Sequence, residues 1–216
     1  MATQTNVPPS DGTSVAPADA LAIPRDVAEL DGPLVLRDGT VLHQRAIRGD
    51  DALRLQAFHQ RLSRQTVVFR FFGVMPVLSS ELAERLSHVD YGDRMAVVAT
   101  PGVGTDEPII AVARYQRTTP EAAEIALAVE DRWQGHGIGP RLLQTLATYA
   151  CRWGFTTFVA EVMYDNDHML ALLRRSGFPT TFRLRDGRVE ARLEISGVDA
   201  RLLAAQNTTP SAEHTV

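Results

Sequence analysis

The chain has 216 residues, 44% of them hydrophobic, and a formal net charge of −4. That length and apolar content suit one domain with its own core plus tails, and the acidic balance excludes a global basic field for nucleic acid. The single cysteine, Cys151, excludes an internal disulfide framework, and no apolar run reaches the ~18 residues of a membrane span.

The N-terminus lacks a basic stretch followed by an apolar one, so a secretory leader is not expected. The expectation is a cytoplasmic chain that engages neither a membrane nor nucleic acid. Residues 1–33 are rich in Pro, Ala, Thr, Asp and Gly and carry Arg25 as their only base, which predicts a disordered acidic tail. Residues 34–197 form the predicted domain, and 198–216 read as a C-terminal tail.

Structure is expected to begin near Leu34, with a turn at Asp38-Gly39 and a first strand over Thr40 to Ile47. Three short helices follow, on Leu53 to Leu62, Ser63 to Phe72 and Ser80 to Val89, with serine or aspartate at each start. Met95–Ala99 and Ile109–Tyr115 read as an antiparallel hairpin. In the next strand, Ala123–Glu130, Ile125, Leu127 and Val129 share one face, and Glu124, Ala126, Ala128 and Glu130 the other. A helix from Gly137 to Gly154 carries Ile138, Leu142, Leu146, Tyr149 and Trp153 along one stripe. Phe155–Met163 is an apolar strand, Met169–Arg175 a short helix, and Asp186-Gly187 the turn of a last hairpin. A helical crossover makes Ala123–Glu130 and Phe155–Met163 parallel neighbours. The fold class is therefore α+β with a mixed sheet, mostly antiparallel.

One junction carries a chemical signal. In Gln134-Gly135-His136-Gly137-Ile138-Gly139-Pro140, three glycines precede a long helix. Glycines let backbone N–H groups crowd one point, and the helix adds its unpaired N–H groups and its positive dipole end, so the junction suits an anion. The spacing is neither that of a nucleoside-triphosphatase loop, which also needs a lysine, nor that of a dinucleotide fingerprint. No His, Cys, Asp or Glu set has metal-ligand spacing, so no metal is expected.

The pattern Gln134-x-x-Gly137-x-Gly139, followed by Asn166-x-x-Met169-x-x-Leu172-Leu173-x-x-x-Gly177-Phe178, resembles the GNAT acetyltransferase superfamily. The resemblance covers roughly residues 36–197. Arg70-Phe71-Phe72, Val89-Asp90-Tyr91 and Ala123-Glu124-Ile125-Ala126 resemble the bacterial Pat-type protein lysine acetyltransferases in particular. The resemblance implies a GNAT-like twisted sheet, with the parallel strand pair splayed and helices on both sides. It implies acetyl-CoA as donor, with its arm paired along Leu127, Ala128 and Val129. The pyrophosphate would lie on Gln134, Gly135, His136, Gly137, Ile138, Gly139 and Pro140, and Asn166 would bond to the arm. It further implies a protein lysine acceptor, with acyl-CoA synthetases the first proteins to consider, and Glu124 as general base.

A lysine ammonium titrates near 10.4 and must lose a proton before it attacks. A free glutamate titrates near 4.3, so Glu124 needs partial burial or a bridging water to serve. Glu130 and Asp131 read as solvation of the loop entry, Glu161 as a partner for an arginine or a site residue, and Cys151 as packing. Many small GNAT enzymes carry a tyrosine where this chain has Leu173, which leaves the departing thiolate without an obvious acid. Two other readings stay open: a GNAT enzyme for a small amine, and a silent acyl-CoA-binding module.

Overall fold

In the computed structural model, residues 25–104 and 106–197 are described. The tail expectations for residues 1–24 and 198–216 lie outside them. The elements in chain order are α1 (Arg25–Ala28), β1 (Gly32–Val35), β2 (Val41–Ala46), α2 (Ala52–Arg61), α3 (Arg64–Phe71), α4 (Ser80–Ser87), β3 (Arg94–Thr100), β4 (Ala111–Thr119), β5 (Ala122–Val129), α5 (Ile138–Arg152), β6 (Thr157–Met163), α6 (Asp167–Arg174), β7 (Thr180–Arg185) and β8 (Arg188–Glu194). They form one eight-stranded sheet in the order β1-β2-β3-β4-β5-β6-β8-β7. Every neighbouring pair is antiparallel except β5–β6.

The domain starts earlier than composition suggests. Val27 and Leu30 are buried in the core, and β1 pairs with β2 from Gly32. Beside these two apolar side chains, Glu29 pairs with Arg152 at 2.9 Å and Asp31 with His43 and Arg48 at 2.9 and 3.1 Å. The first hairpin thus has two strands rather than the one expected. The expected strand start at Phe155 moves to Thr157, because Phe155 is a buried plug whose ring meets Tyr115 edge-on at 5.1 Å.

α5 lies across β3, β4 and β5. Its stripe of Ile138, Leu142, Leu143, Leu146 and Tyr149 is buried with Val97, Ala113, Ile125 and Phe158. Trp153, the last residue expected on that stripe, is instead 44% exposed. Burial of each such side chain contributes ~1.5–3 kcal/mol. On α5, Thr145 reaches Gln44 of β2 with a buried 3.1 Å hydrogen bond. The short helices α2, α3 and α4 are the wall expected beside the sheet; Ser63 and Ser79 cap α3 and α4 through the Thr66 and Leu82 N–H groups. Asp51 is fully buried and holds the entry to α2, accepting from the Arg45 guanidinium at 2.7 and 2.8 Å.

Candidate active site

β5 and β6 diverge. Their parallel register runs over Ala122↔Thr157, Ala123↔Phe158 and Glu124↔Val159 only, while β6 stays paired with β8 up to Met163. Alternation fixes which groups line the gap. The Arg117 N–H donates to Asp93 O, so odd-numbered residues of β4 face β3 and even-numbered ones face β5. Their partners Ala126 and Ala128 therefore turn their backbone groups to β4. Leu127 and Val129 turn theirs to the side that β6 has left. Consistent with this, Glu121 O, on the β6 side, accepts from the Thr157 N–H, and the Glu130 N–H donates to Ile110 O. The gap thus offers Leu127 N–H and C=O and Val129 N–H as strand-pairing groups.

The glycine loop lies at the end of this gap. Gly135 and Gly137 have φ of 80° and 89°, a region that side chains with a Cβ disfavour, and Gly137 stands at the N-cap position of α5 with no side-chain cap. The first N–H groups of α5 are thus left for an external anion. Pro140, in the first turn, has no N–H to satisfy. Ile138 is buried, so it can offer only its backbone, and Gly139 is packed so closely on α6 that a Cβ would come within 2.5 Å of Leu172. The Gln134 side chain donates to Val129 O at 3.0 Å and to Thr66 Oγ1 at 3.3 Å, binding the loop to β5 and α3. His136 is exposed and its ring bonds to Gln134 O at 2.9 Å. Asn166 caps α6, its Oδ1 accepting from the Met169 N–H at 3.1 Å, which leaves its Nδ2 for another partner.

Two residues read as loop solvation have structural roles instead. Glu130 is buried at 4% exposure and pairs with Arg61 (2.9 Å) and Arg132 (2.6 Å). Asp131 accepts from the Ser63 N–H and hydroxyl at 2.8 and 2.6 Å, and from the Thr66 hydroxyl at 2.9 Å. Burial pushes the Asp131 carboxyl up, but these donors outweigh it and hold it below the usual range. The segment leading into the glycine loop is therefore fastened to the start of α3.

Glu124 sits at the last paired register before the gap, exposed, on the sheet face shared with Ala126 and Ala128. The guanidinium of Arg70, at the end of α3, is close enough to interact with its charge. Burial pulls the Arg70 pKa down, and Glu124 opposes that shift. Arg114 on β4 is pulled down to about 9, first by burial and then by the charge of Arg70. It remains protonated at neutral pH and donates to Leu86 O at 2.7 Å. Arg114 interrupts the apolar run Ile109–Tyr115, a visible signal that the alternation of that strand did not turn into a role. Glu161 pairs with Arg188 at 2.9 Å, which in turn lies 4.6 Å from the Phe72 ring centroid. Cys151 donates to Ile195 O at 3.1 Å, and burial raises its thiol pKa. Leu173 is fully buried, and Tyr164 is exposed. No group of three or more metal-ligating side chains occurs among the described residues, and none of their helices is long and apolar enough to cross a membrane.

A splayed parallel pair, an open strand edge and a glycine-started helix give the chain the fold of the GNAT acetyltransferases. The chain belongs to the acetyltransferase (GNAT) family, whose model matches residues 73–178. Members of this family use acetyl-CoA or CoA as substrate. The chain is 34% identical to the acetyltransferase Pat of Mycolicibacterium smegmatis over 67% of its own length and 43% of that protein. It is 33% identical to an acetyltransferase of Pseudomonas aeruginosa over 66% of its length and 77% of that protein. Among solved structures, it superposes on the GNAT domain of the S. lividans Pat protein with a TM-score of 0.71 and 31% identity, covering 77% of this chain and 98% of that one. The chain thus spans less than half of the mycobacterial relative and nearly all of the isolated GNAT domain.

Proposed function

We propose that this acetyltransferase transfers the acetyl group of acetyl-CoA to a lysine amine of a protein, with Glu124 as general base. The observation that carries the reading is the position of Glu124: exposed, on the open face, at the register where β5 parts from β6. The donor arm pairs with Leu127 and Val129 along the vacant edge, and its pyrophosphate rests on the backbone N–H groups from Gln134 to Gly139. The Asn166 Nδ2 bonds to the arm.

Glu124, open to solvent, accepts the proton of the lysine ammonium through a bridging water. The free amine attacks the thioester carbonyl, and the Leu127 N–H stabilises the developing oxyanion. Collapse breaks the C–S bond; the attacking nitrogen, cationic in the adduct, releases its second proton to water, and the CoA thiolate leaves and takes a proton from water, since Leu173 supplies none. The face beyond Glu124, over β6 and β8, bears exposed Glu161, Arg188, Arg192 and Glu194 and is broad enough for a protein surface. The Pat relatives favour a protein acceptor, and cytoplasmic AMP-forming acyl-CoA synthetases are the first to test.

The test is incubation with acetyl-CoA and purified synthetases, followed by detection of acetyl-lysine. Acetyl-lysine formed by the wild type and lost in Glu124→Gln supports the reading. Turnover of a polyamine or amino sugar without protein acetylation overturns the acceptor assignment. Acetyl-CoA binding with no turnover of any amine makes the chain a silent binding module.

A further inference from the structure

On the same face as Glu124, a cavity of about 400 Å³ lies between the end of α4 and strands β3 and β4. Three arginines line it: Arg85, Arg94 and Arg114. No carboxylate is among its lining residues, although the chain as a whole is acidic. Arg94 is partly neutralised by Asp90 at 3.0 Å. Arg85 has no hydrogen-bond or ion-pair partner among the described residues. Arg114 has one carbonyl, Leu86 O, and a neighbouring cation, Arg70. Gathering like charges in a partly desolvated pocket is unfavourable unless an anion joins them.

The cavity adjoins the reacting centre. Gln116, on its wall, is the cross-strand partner of Glu124, and Arg114 is the partner of Ala126, two residues further along β5. Such diagonal neighbours lie roughly 7–8 Å apart at Cα. An extended peptide advances about 3.3–3.6 Å per residue, so a side chain two to four residues from a lysine held at Glu124 reaches the arginines.

We infer that this cavity is a specificity subsite for an acidic group carried by the acceptor near its target lysine, either a carboxylate or a phosphate monoester. The inference rests on the proposal that Glu124 marks the acceptor side. Binding of an anion would compensate all three guanidiniums and give Arg114 a partner better than a lone carbonyl. It would also set the peptide's direction across the sheet, from β3 towards the β5–β6 gap.

The test uses fluorescent lysine nonapeptides with Glu, Gln or phosphoserine at each position from two to four residues either side of the lysine. Anisotropy measures their binding to the full chain loaded with CoA, and acetyl transfer is measured separately. At one or two positions, Glu or phosphoserine should bind about 10- to 100-fold more tightly than Gln, the scale of a charge-assisted hydrogen bond. Which of the two acids binds better assigns the source of the charge. Arg114→Gln should abolish the difference. If that variant misfolds, the exposed pair Arg85→Gln and Arg94→Gln should reduce it at least fivefold. Arg183→Gln, on β7, should leave it unchanged. Equal binding of Glu and Gln peptides at every position, or a difference that survives loss of Arg85 and Arg94, overturns the subsite. A charge preference that maps to the arginines without acetyl transfer would instead sink the lysine acetyltransferase reading and reduce the cavity to a site that binds acidic peptides.

Discussion

Replacing Gly137 by alanine tests the proposed role of the glycine loop in holding the donor with the least other disturbance. Its φ is 89°, and a Cβ built there meets nothing within 4 Å, so no packing clash enters. The whole penalty is backbone strain, about 1–2 kcal/mol for an L-residue in the left-handed region. The loop of the variant relaxes when empty and must be driven back by the ligand. One to two kcal/mol corresponds to roughly a 5- to 30-fold loss of acetyl-CoA affinity. Gly137→Glu adds a carboxylate at the phosphate position and should weaken binding beyond about 100-fold, since like charges now meet in a site built for an anion. The assay is isothermal titration with acetyl-CoA, with thermal unfolding as a control. The unfolding midpoint should fall by no more than about 4–8 °C for the alanine variant. Unchanged affinity in both variants would refute the placement of the pyrophosphate on this loop.

Glu124→Gln should lower kcat for lysine acetylation by about 10²–10⁴ while acetyl-CoA affinity stays within twofold, checked by steady-state kinetics and titration. Asp51→Ala leaves Arg45 buried without its bidentate partner and should destabilise the fold by about 3–5 kcal/mol, a drop of roughly 6–20 °C in the unfolding midpoint. Asp131 is held below its usual carboxyl range, so its contribution is fully present above the unfolded pKa of about 3.9 and is lost as pH falls through the lower folded value. Urea titrations of wild type and Asp131→Ala should therefore differ at pH 7 and converge in the most acidic buffers in which the protein still folds; a constant difference across that range would exclude the carboxylate as the cause.

The glycine loop, the crossover helix and the face bearing Glu124 were legible because each rests on local pattern: positive-φ glycines, a helical stripe, a strand's alternation. The divergence of β5 from β6 follows from no local pattern, and it came from resemblance. The first docked segment was missed because Val27 and Leu30 are few among residues typical of a tail, and the partners of Glu29 and Asp31, Arg152 and His43, lie elsewhere in the chain. Glu130 and Asp131 looked like solvated acids because their partners, Arg61 and Ser63, lie almost seventy residues earlier in the chain. Arg114 is a charge in an apolar strand, but only the approach of α3 and α4 gives it neighbours. Long-range polar pairing leaves no periodic trace, and it accounts for most of what the sequence did not disclose about the site.

The fastening of α3 has a consequence for how this enzyme can change. The helix has eight residues and spans about 12 Å. Its first turn is tied to Asp131 beside the glycine loop, and its last carries Arg70 towards Glu124. One short, stiff part therefore joins the glycine loop to the proposed acceptor side at Glu124. Any substitution that tilts it to admit a different acceptor also pulls on the donor loop. On the proposed placement of the two substrates, acceptor range and donor affinity are linked traits, and new acceptors come at least disturbance from changes in the arginine-lined cavity and on the β6–β8 face.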